Sequence, residues 1–472
     1  MCNVTYPIAV ARKCESRFSV CLVLNVPFCQ LIAEQLGGIH NEVKRRHLRI
    51  SKRELNATDT RRPDVRPTGT AARSAVGCDE LSSVPLEPPN FQSVHNYSEP
   101  TVSKLPRMLR RHPEIWVALV LFMASNAFVY TFAQFVRWNT GRPAGLLEFC
   151  TWDCNWFRFV VDSGYDVGPN HPAQGSNHTN WSFLPLFPIS ALPLRYGLGF
   201  STGVALVLTS KLELLGAIIC FLMMLRNKLE DIPEYFFAGS LVAFNPYVIY
   251  AHAGYSEPLY FSLASIGFLL LDRKRWMGAG IVSAFLSASR IVGCVFSLSY
   301  FILALKELAA RRVPRERCPI ILIGLLFCPL GLAIFSLYLY RHTGDALGFI
   351  HSQVAWGRVV GDPLEVLGKA LAQHRWQRIS GLMALAGIAT AAWFFWRRRP
   401  ELGVFLLATT LISLSGGLWG FPRYLWWQPP LLYAIFLWLK PHRSWWGLYL
   451  AFACGMASFM VVEWFAHTNM VI

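Results

Sequence analysis

Charge is what this 472-residue sequence has least of. Asp, Glu, Lys and Arg make up only 15% of it, against 54% hydrophobic residues. Mean hydropathy is +0.36, which argues against a soluble core-and-surface domain. No GxGxxG or Walker-type glycine-rich stretch occurs, so there is no loop of the kind that cradles a nucleotide phosphate. The twelve Cys contain neither a CxxC pair nor Cys/His zinc spacing, and no structural metal is indicated. A convincing internal repeat of the transporter kind is also missing. The net charge of +16 points to nucleic acid at first glance. The basic residues, however, come in short clusters between apolar segments, the positive-inside pattern, so no nucleic-acid partner is expected.

What is present is apolar and aromatic. Seventeen Trp and 33 Phe fit interfacial belts, and the chain reads as an all-α polytopic integral membrane protein. Residues 1–107 read as a disordered N-terminal extension, since 40–104 carry charges, Pro, Ser and Thr without periodicity. The apolar run 18–32 is interrupted by Asn25, Pro27 and Gln30 and does not read as a signal peptide. Translation starting at Met108 is one reading of this extension. Residues 108–472 form the membrane domain.

A span needs about 20 apolar residues, and eleven are expected: 114–136, 203–225, 235–251, 257–271, 276–290, 292–306, 318–340, 379–396, 401–417, 424–439 and 444–464. The pair 276–306 can also be one bent helix. Pro185, Pro188 and Pro193 break 182–198, a juxtamembrane or re-entrant stretch inside a large first outer loop. Basic clusters such as Arg110/Arg111, Arg273/Lys274/Arg275 and Arg397/Arg398/Arg399 share one side, the cytoplasmic one. The same layout gathers Asp153, the Tyr255–Glu257 turn, Arg290, Asp345 and Arg423 on the outer side.

Each of these residues has a chemical and a structural reading. In Trp152-Asp153-Cys154-Asn155-Trp156, an interfacial helix turns its aromatics to lipid and Asp153 to protein or water. Asp153 is then a general base or a helix cap. Cys150 and Cys154 flank it at i, i+4, a spacing open to a disulfide on the oxidising side of a membrane. Arg290 and Arg423 lie at span boundaries, where a guanidinium binds phosphate oxygens, snorkels, or pairs with an acid such as Glu257. Tyr255 and Glu257 hold sugar hydroxyls or orient an Arg; Pro246 kinks the preceding span. From Asp345 through Gln353, Trp356 and Arg358, polar groups alternate with aromatics, a composition suited to sugar stacking or to a plain surface helix. His171 and His178 read as loop histidines rather than metal ligands.

In this order, Trp152-Asp153 with Gly164-Tyr165, Asn180 through Pro188, Asn245-Pro246 with Tyr255-Ser256-Glu257, Ser289 through Gly293, Gly344-Asp345 with Phe349 and Gln353 through Arg358, and Pro422-Arg423-Tyr424 resemble the GPI mannosyltransferase II (PIG-V-type) family, in the form of its bacterial-type homologues, over residues 110–440. The resemblance implies a GT-C-type fold with about 11 transmembrane helices. It also implies inverting transfer of mannose or a related hexose from a polyprenyl-phosphate-linked donor to a hydroxyl of a lipid- or glycan-linked acceptor. Asp153 is then the base, Arg290 and Arg423 bind the donor phosphate, and Trp152, Tyr255, Glu257, Asp345, Gln353, Trp356 and Arg358 contact substrate. Membrane lipids surround the chain, no cofactor is required beyond an optional divalent cation, and the site faces the periplasm or lumen. A bacterial inner membrane is favoured over the endoplasmic reticulum, and the C-terminus carries no KDEL-type or dilysine signal. A transporter or lipid flippase is the alternative for a chain with many spans and boundary arginines.

Overall fold

The computed structural model describes residues 112–138, 144–169, 178–373 and 376–466, all within the unit Tyr97–Ile472. The N-terminal extension, its alternative start and His171 lie outside the described residues. Among the described residues every regular element is helical. They are α1 (Pro113–Trp138), α2 (Asp153–Ser163), α3 (Leu186–Leu192), α4 (Thr202–Leu225), α5 (Ile232–Ala243), α6 (Ile249–His252), α7 (Glu257–Asp272), α8 (Trp276–Ser289) and α9 (Phe296–Ala309). There follow α10 (Cys318–Phe327), α11 (Leu330–Thr343), α12 (Gly348–His351), α13 (Pro363–Ala372), α14 (Trp376–Trp396), α15 (Pro400–Ser415), α16 (Phe421–Trp426), α17 (Pro429–Leu439) and α18 (Trp446–Phe465).

Five helices are each long and apolar enough to cross a membrane: α1, α4, α9 with its 3₁₀ lead-in, α14 and α18. The chain is an integral membrane protein by that measure. The pair α10–α11 is a sixth candidate, bent by 43° at Cys328-Pro329, where the proline ring blocks an unbroken ladder. The other expected spans are helical but short. At 16 residues, α7 and α15 reach about 24 Å, less than a hydrocarbon core of about 30 Å. Residues 235–251 divide into α5 and α6 at Asn245-Pro246, and 424–439 divides into α16 and α17.

Two long loops carry the remaining helices. The first, between α1 and α4, contains α2 and α3; of the three prolines foreseen as breakers, Pro185 precedes α3 and Pro193 follows it, whereas Pro188 lies within its first turn, where its missing N–H is no loss. The second, between α11 and α14, contains α12 and α13. The two loops touch where the Ser182 and Ser352 hydroxyls lie 2.6 Å apart, and some helix crossings are close. A Cβ on Gly280 of α8 would strike the backbone of Gly324 in α10, so small residues set that separation.

The break between α5 and α6 is held from neighbouring helices. Asn245 donates from Nδ2 to the Trp426 carbonyl at 2.8 Å and accepts the Tyr247 N–H at 2.8 Å. Ser125 of α1 donates to the freed Ala243 carbonyl at 2.6 Å. On α4, Ser210 Oγ lies 3.1 Å from the carbonyls of Ala251 and Tyr255. Lys211 Nζ meets Asn126 Oδ1 and His252 Nδ1 at 2.8 Å each. Ser125, Ser210, Asn245 and His252 are buried, so each unmade bond of theirs would cost about 1–3 kcal/mol. Replacing Asn245 with Ala is expected to lower unfolding free energy by about that amount, measured by denaturation in detergent; a change near zero would show that the break does not need this tie.

Candidate active site

The helix α2 begins at Asp153, and its approach is unusual. Trp152 has φ of 47°, a left-handed conformation that costs a non-glycine residue about 1–3 kcal/mol. Three contacts hold it. A disulfide joins Cys150 to Cys154, closing a loop around Asp153 and contributing about 2 kcal/mol for so short a loop. The Asp153 N–H donates to Tyr255 Oη at 3.1 Å, and the Tyr255 hydroxyl donates to the Thr151 carbonyl at 3.3 Å. Trp152 packs edge-on against Trp464 with centroids 4.5 Å apart. Trp156 is buried in protein at 5% exposure; the expected orientation of these aromatics towards lipid is therefore corrected. The two long loops fold over α2 and cover that face.

Across from α2 lies a chain of charges. Glu257 opens α7 with a side chain only 2% exposed. Its Oε1 lies 2.8 Å from Arg290 Nη1 and 3.1 Å from Arg423 Nε. Arg423 in turn reaches Asp153 Oδ2 with Nη1 at 3.2 Å and donates from Nη2 to Tyr424 Oη at 2.8 Å. Its guanidinium also faces the rings of Tyr250 and Tyr424, each 4.7 Å away. Arg290 sits in the extended residue that ends α8 and stacks on Tyr424 at 4.7 Å. Of the three readings open for these arginines, pairing with Glu257 is what the geometry contains.

Arg358 differs from both. It stacks over Tyr424 at 5.7 Å and donates to Gln353 Oε1 at 3.3 Å. Among the described residues no carboxylate lies within ion-pair distance of it. Three guanidiniums and two carboxylates thus line one cavity of about 950 Å³, an excess of one positive charge. Asp153 is the more open carboxylate, with 32% of its side chain exposed, and its Oδ1 makes no hydrogen bond or ion pair among the described residues.

The same cavity is lined by Trp152, Tyr255, Gln353 and Trp356 as well as by the charged groups above. Asp345 is not among the lining residues. Its carboxylate accepts from the Leu347 N–H at 3.0 Å and meets His351 Nδ1 at 2.7 Å. Burial raises its pKa, but these two hydrogen bonds outweigh that and hold the carboxyl below its ordinary value. One wall was not foreseen. Trp156 stacks on Phe183 at 5.7 Å, and Trp356 stands edge-on to Trp156 at 5.0 Å and to His178 at 5.1 Å. The Trp356 Nε1–H is buried without an acceptor. The available signal was the helical spacing that puts Trp156 one turn beyond Asp153. For Tyr424, it was adjacency to Arg423.

A second, almost wholly apolar cavity of about 610 Å³ runs between α3, α8 and α11. Ile281, Ala284, Phe285 and Ala288 line it, and the residues that follow, Ser289 through Val292, line the charged cavity. Among the described residues no group of His, Cys, Asp and Glu is arranged to hold a metal ion.

Because Glu257 is buried between the guanidiniums of Arg290 and Arg423, of which Arg423 is also buried, Glu257→Gln is expected to destabilise the fold by about 3–5 kcal/mol. Asp153→Asn removes a half-open partner of Arg423 and should cost far less. Thermal unfolding of both variants in detergent checks the ranking; equal losses would contradict it.

No protein-family profile matches the sequence, and no curated protein matches it. Among solved structures, the chain is similar to the crystal structure of the Archaeoglobus fulgidus oligosaccharyltransferase in complex with Zn and sulfate, at 16% identity and a TM-score of 0.41. That similarity covers 73% of this chain and 52% of the other, so the chain spans about half the length of that protein.

Proposed function

We propose that the chain is a membrane glycosyltransferase that moves a mannosyl or related hexosyl group from a polyprenyl-phosphate-linked donor to an acceptor hydroxyl, with inversion and with Asp153 as base. The observation that carries this reading is the division of labour among the charges. Glu257 is only 2% exposed between two arginines, whereas Asp153 is 32% exposed to the cavity and pairs with Arg423. A single available carboxylate suits single displacement, since double displacement uses a second one as nucleophile.

In that reaction the acceptor oxygen attacks the anomeric carbon as the bond to the phosphate oxygen breaks. The hydroxyl proton passes to Asp153, and the polyprenyl phosphate leaves with the bonding electron pair. Arg423, buried and held by Glu257, orients the carboxylate. Arg358 and Arg290, on the Tyr424 ring, meet the charge that grows on the leaving phosphate. This refines the sequence reading, in which Arg290 and Arg423 shared that task. The apolar groove beside α8 accommodates an isoprenoid tail next to the charged cavity. The Trp156–Trp356 wall offers aromatic faces and an unpaired indole N–H to a sugar ring. A disulfide beside Asp153 fits an oxidising, extracytoplasmic compartment. Mannose as the sugar rests on the motif resemblance.

The test is transfer from purified polyprenyl-phosphate-mannose to a membrane lipid extract. Asp153→Asn should lower turnover at least about 10²-fold, the usual weight of general base catalysis, with little change in donor KM. Arg358→Gln should lower kcat/KM for the donor by about 10²-fold, the scale of one lost donor to a developing anion. Wild-type turnover retained by Asp153→Asn would overturn the assignment of the base.

A further inference from the structure

We infer that the Cys150–Cys154 disulfide is a positioning group for Asp153, and that the site is switched off when this disulfide is reduced. The inference rests on the reading of Asp153 as base. The disulfide spans Asp153 itself, bridging the residues three before and one after it. The N-terminus of α2 has no side-chain cap, so the local backbone relies on the Cys154 N–H to Thr151 carbonyl bond at 3.1 Å and the Asn155 N–H to Trp152 carbonyl bond at 2.9 Å. Trp152, between the disulfide and Asp153, is held at positive φ. Without the covalent closure, the noncovalent contacts with Tyr255 and Trp464 alone oppose relaxation of Trp152 to negative φ, which would turn Asp153 out of register with Arg423.

Both sulfurs are also seated against backbone. A Cβ on Gly254, at φ of 77°, would lie 2.6 Å from Cys154 Sγ, and one on Gly203 would lie 3.5 Å from Cys150 Sγ. Gly254 immediately precedes Tyr255, which holds the Asp153 amide, and the same turn leads into Glu257, the partner of Arg423. The disulfide is therefore wedged between α4 and the turn that presents the rest of the charge chain. Cys150 and Cys154 are 5% and 0% exposed, which makes the bridge slow to reach and keeps it oxidised in the folded protein. Reduction by a dithiol transfers two electrons and two protons to the pair, yielding two thiols and the oxidised dithiol. Two thiols need more room than a disulfide in this notch, so the turn and the α2 terminus must part.

The experiment uses the full chain in nanodiscs, with and without dithiothreitol, the state of Cys150 and Cys154 being read by alkylation and peptide mass. With both thiols alkylatable, transfer from polyprenyl-phosphate-mannose is expected to lose at least tenfold in kcat with donor KM within twofold. Reoxidation is expected to restore it. Cys150→Ser should reproduce the loss without reductant, and Cys150→Ala with Cys154→Ala serves if that variant does not fold. Hydrogen exchange of the peptide covering 151–156 should accelerate on reduction whether or not transfer is detected. Unchanged kcat in the reduced protein, or unchanged exchange in that peptide, would overturn the inference. Absence of transfer by the oxidised wild type would instead overturn the proposed function and leave the exchange measurement to decide the role of the disulfide.

Discussion

The site depends on a single buried carboxylate set between two guanidiniums. Glu257 has almost no contact with solvent, and neither do Arg423 and the rings of Tyr250 and Tyr255. A charge so placed is tolerated only when opposite charges surround it closely. Satisfying Glu257 obliges the start of α7, the break after α8 and the short helix α16 to meet at one point. Asp153 then joins from α2 through Arg423. The four groups come from segments up to 270 residues apart in sequence, so the pairing also fixes how these helix ends converge.

That arrangement separates charges that hold the structure from charges left for chemistry. Arg423 is spent on two carboxylates and three rings. Among the described residues Arg358 rests on Tyr424 and Gln353 without an acid, and Asp153 is the more exposed carboxylate of the cavity. Such a division is what a displacement reaction at a phosphate-linked carbon needs, because the base and the cation must act while the scaffold does not move. The neighbouring groove is as apolar as the cavity is charged. A ligand with one anionic end and one hydrocarbon end would satisfy both.

Much of this was legible in the sequence for a physical reason. Asp153, Glu257, Arg290 and Arg423 stand at the ends of apolar runs, where an ionisable side chain is costly and therefore conspicuous. The prolines around α3 and at Pro246 announce their breaks because the ring removes a donor. Span lengths were less legible: an apolar run of 15–17 residues has the composition of a transmembrane helix whether or not it is bent or shortened, as at α5–α6 and α16–α17. The partner of each arginine was hidden as well, since charge pairing across more than a hundred residues leaves no local pattern. Asp345 shows the limit from the other side. Its motif context marked it with the rest, yet a histidine six residues on, His351, takes its carboxylate, and it stands outside the cavity lining.

The central claim is that one carboxylate, and not two, acts on the anomeric carbon. The direct measurement is the anomeric configuration of the product, read by proton NMR after transfer from a polyprenyl-phosphate-mannose of defined configuration. With Asp153 as the sole available carboxylate, the new glycosidic bond carries the opposite configuration to the donor. A product that retains the donor configuration would require a second nucleophilic group and would contradict the account.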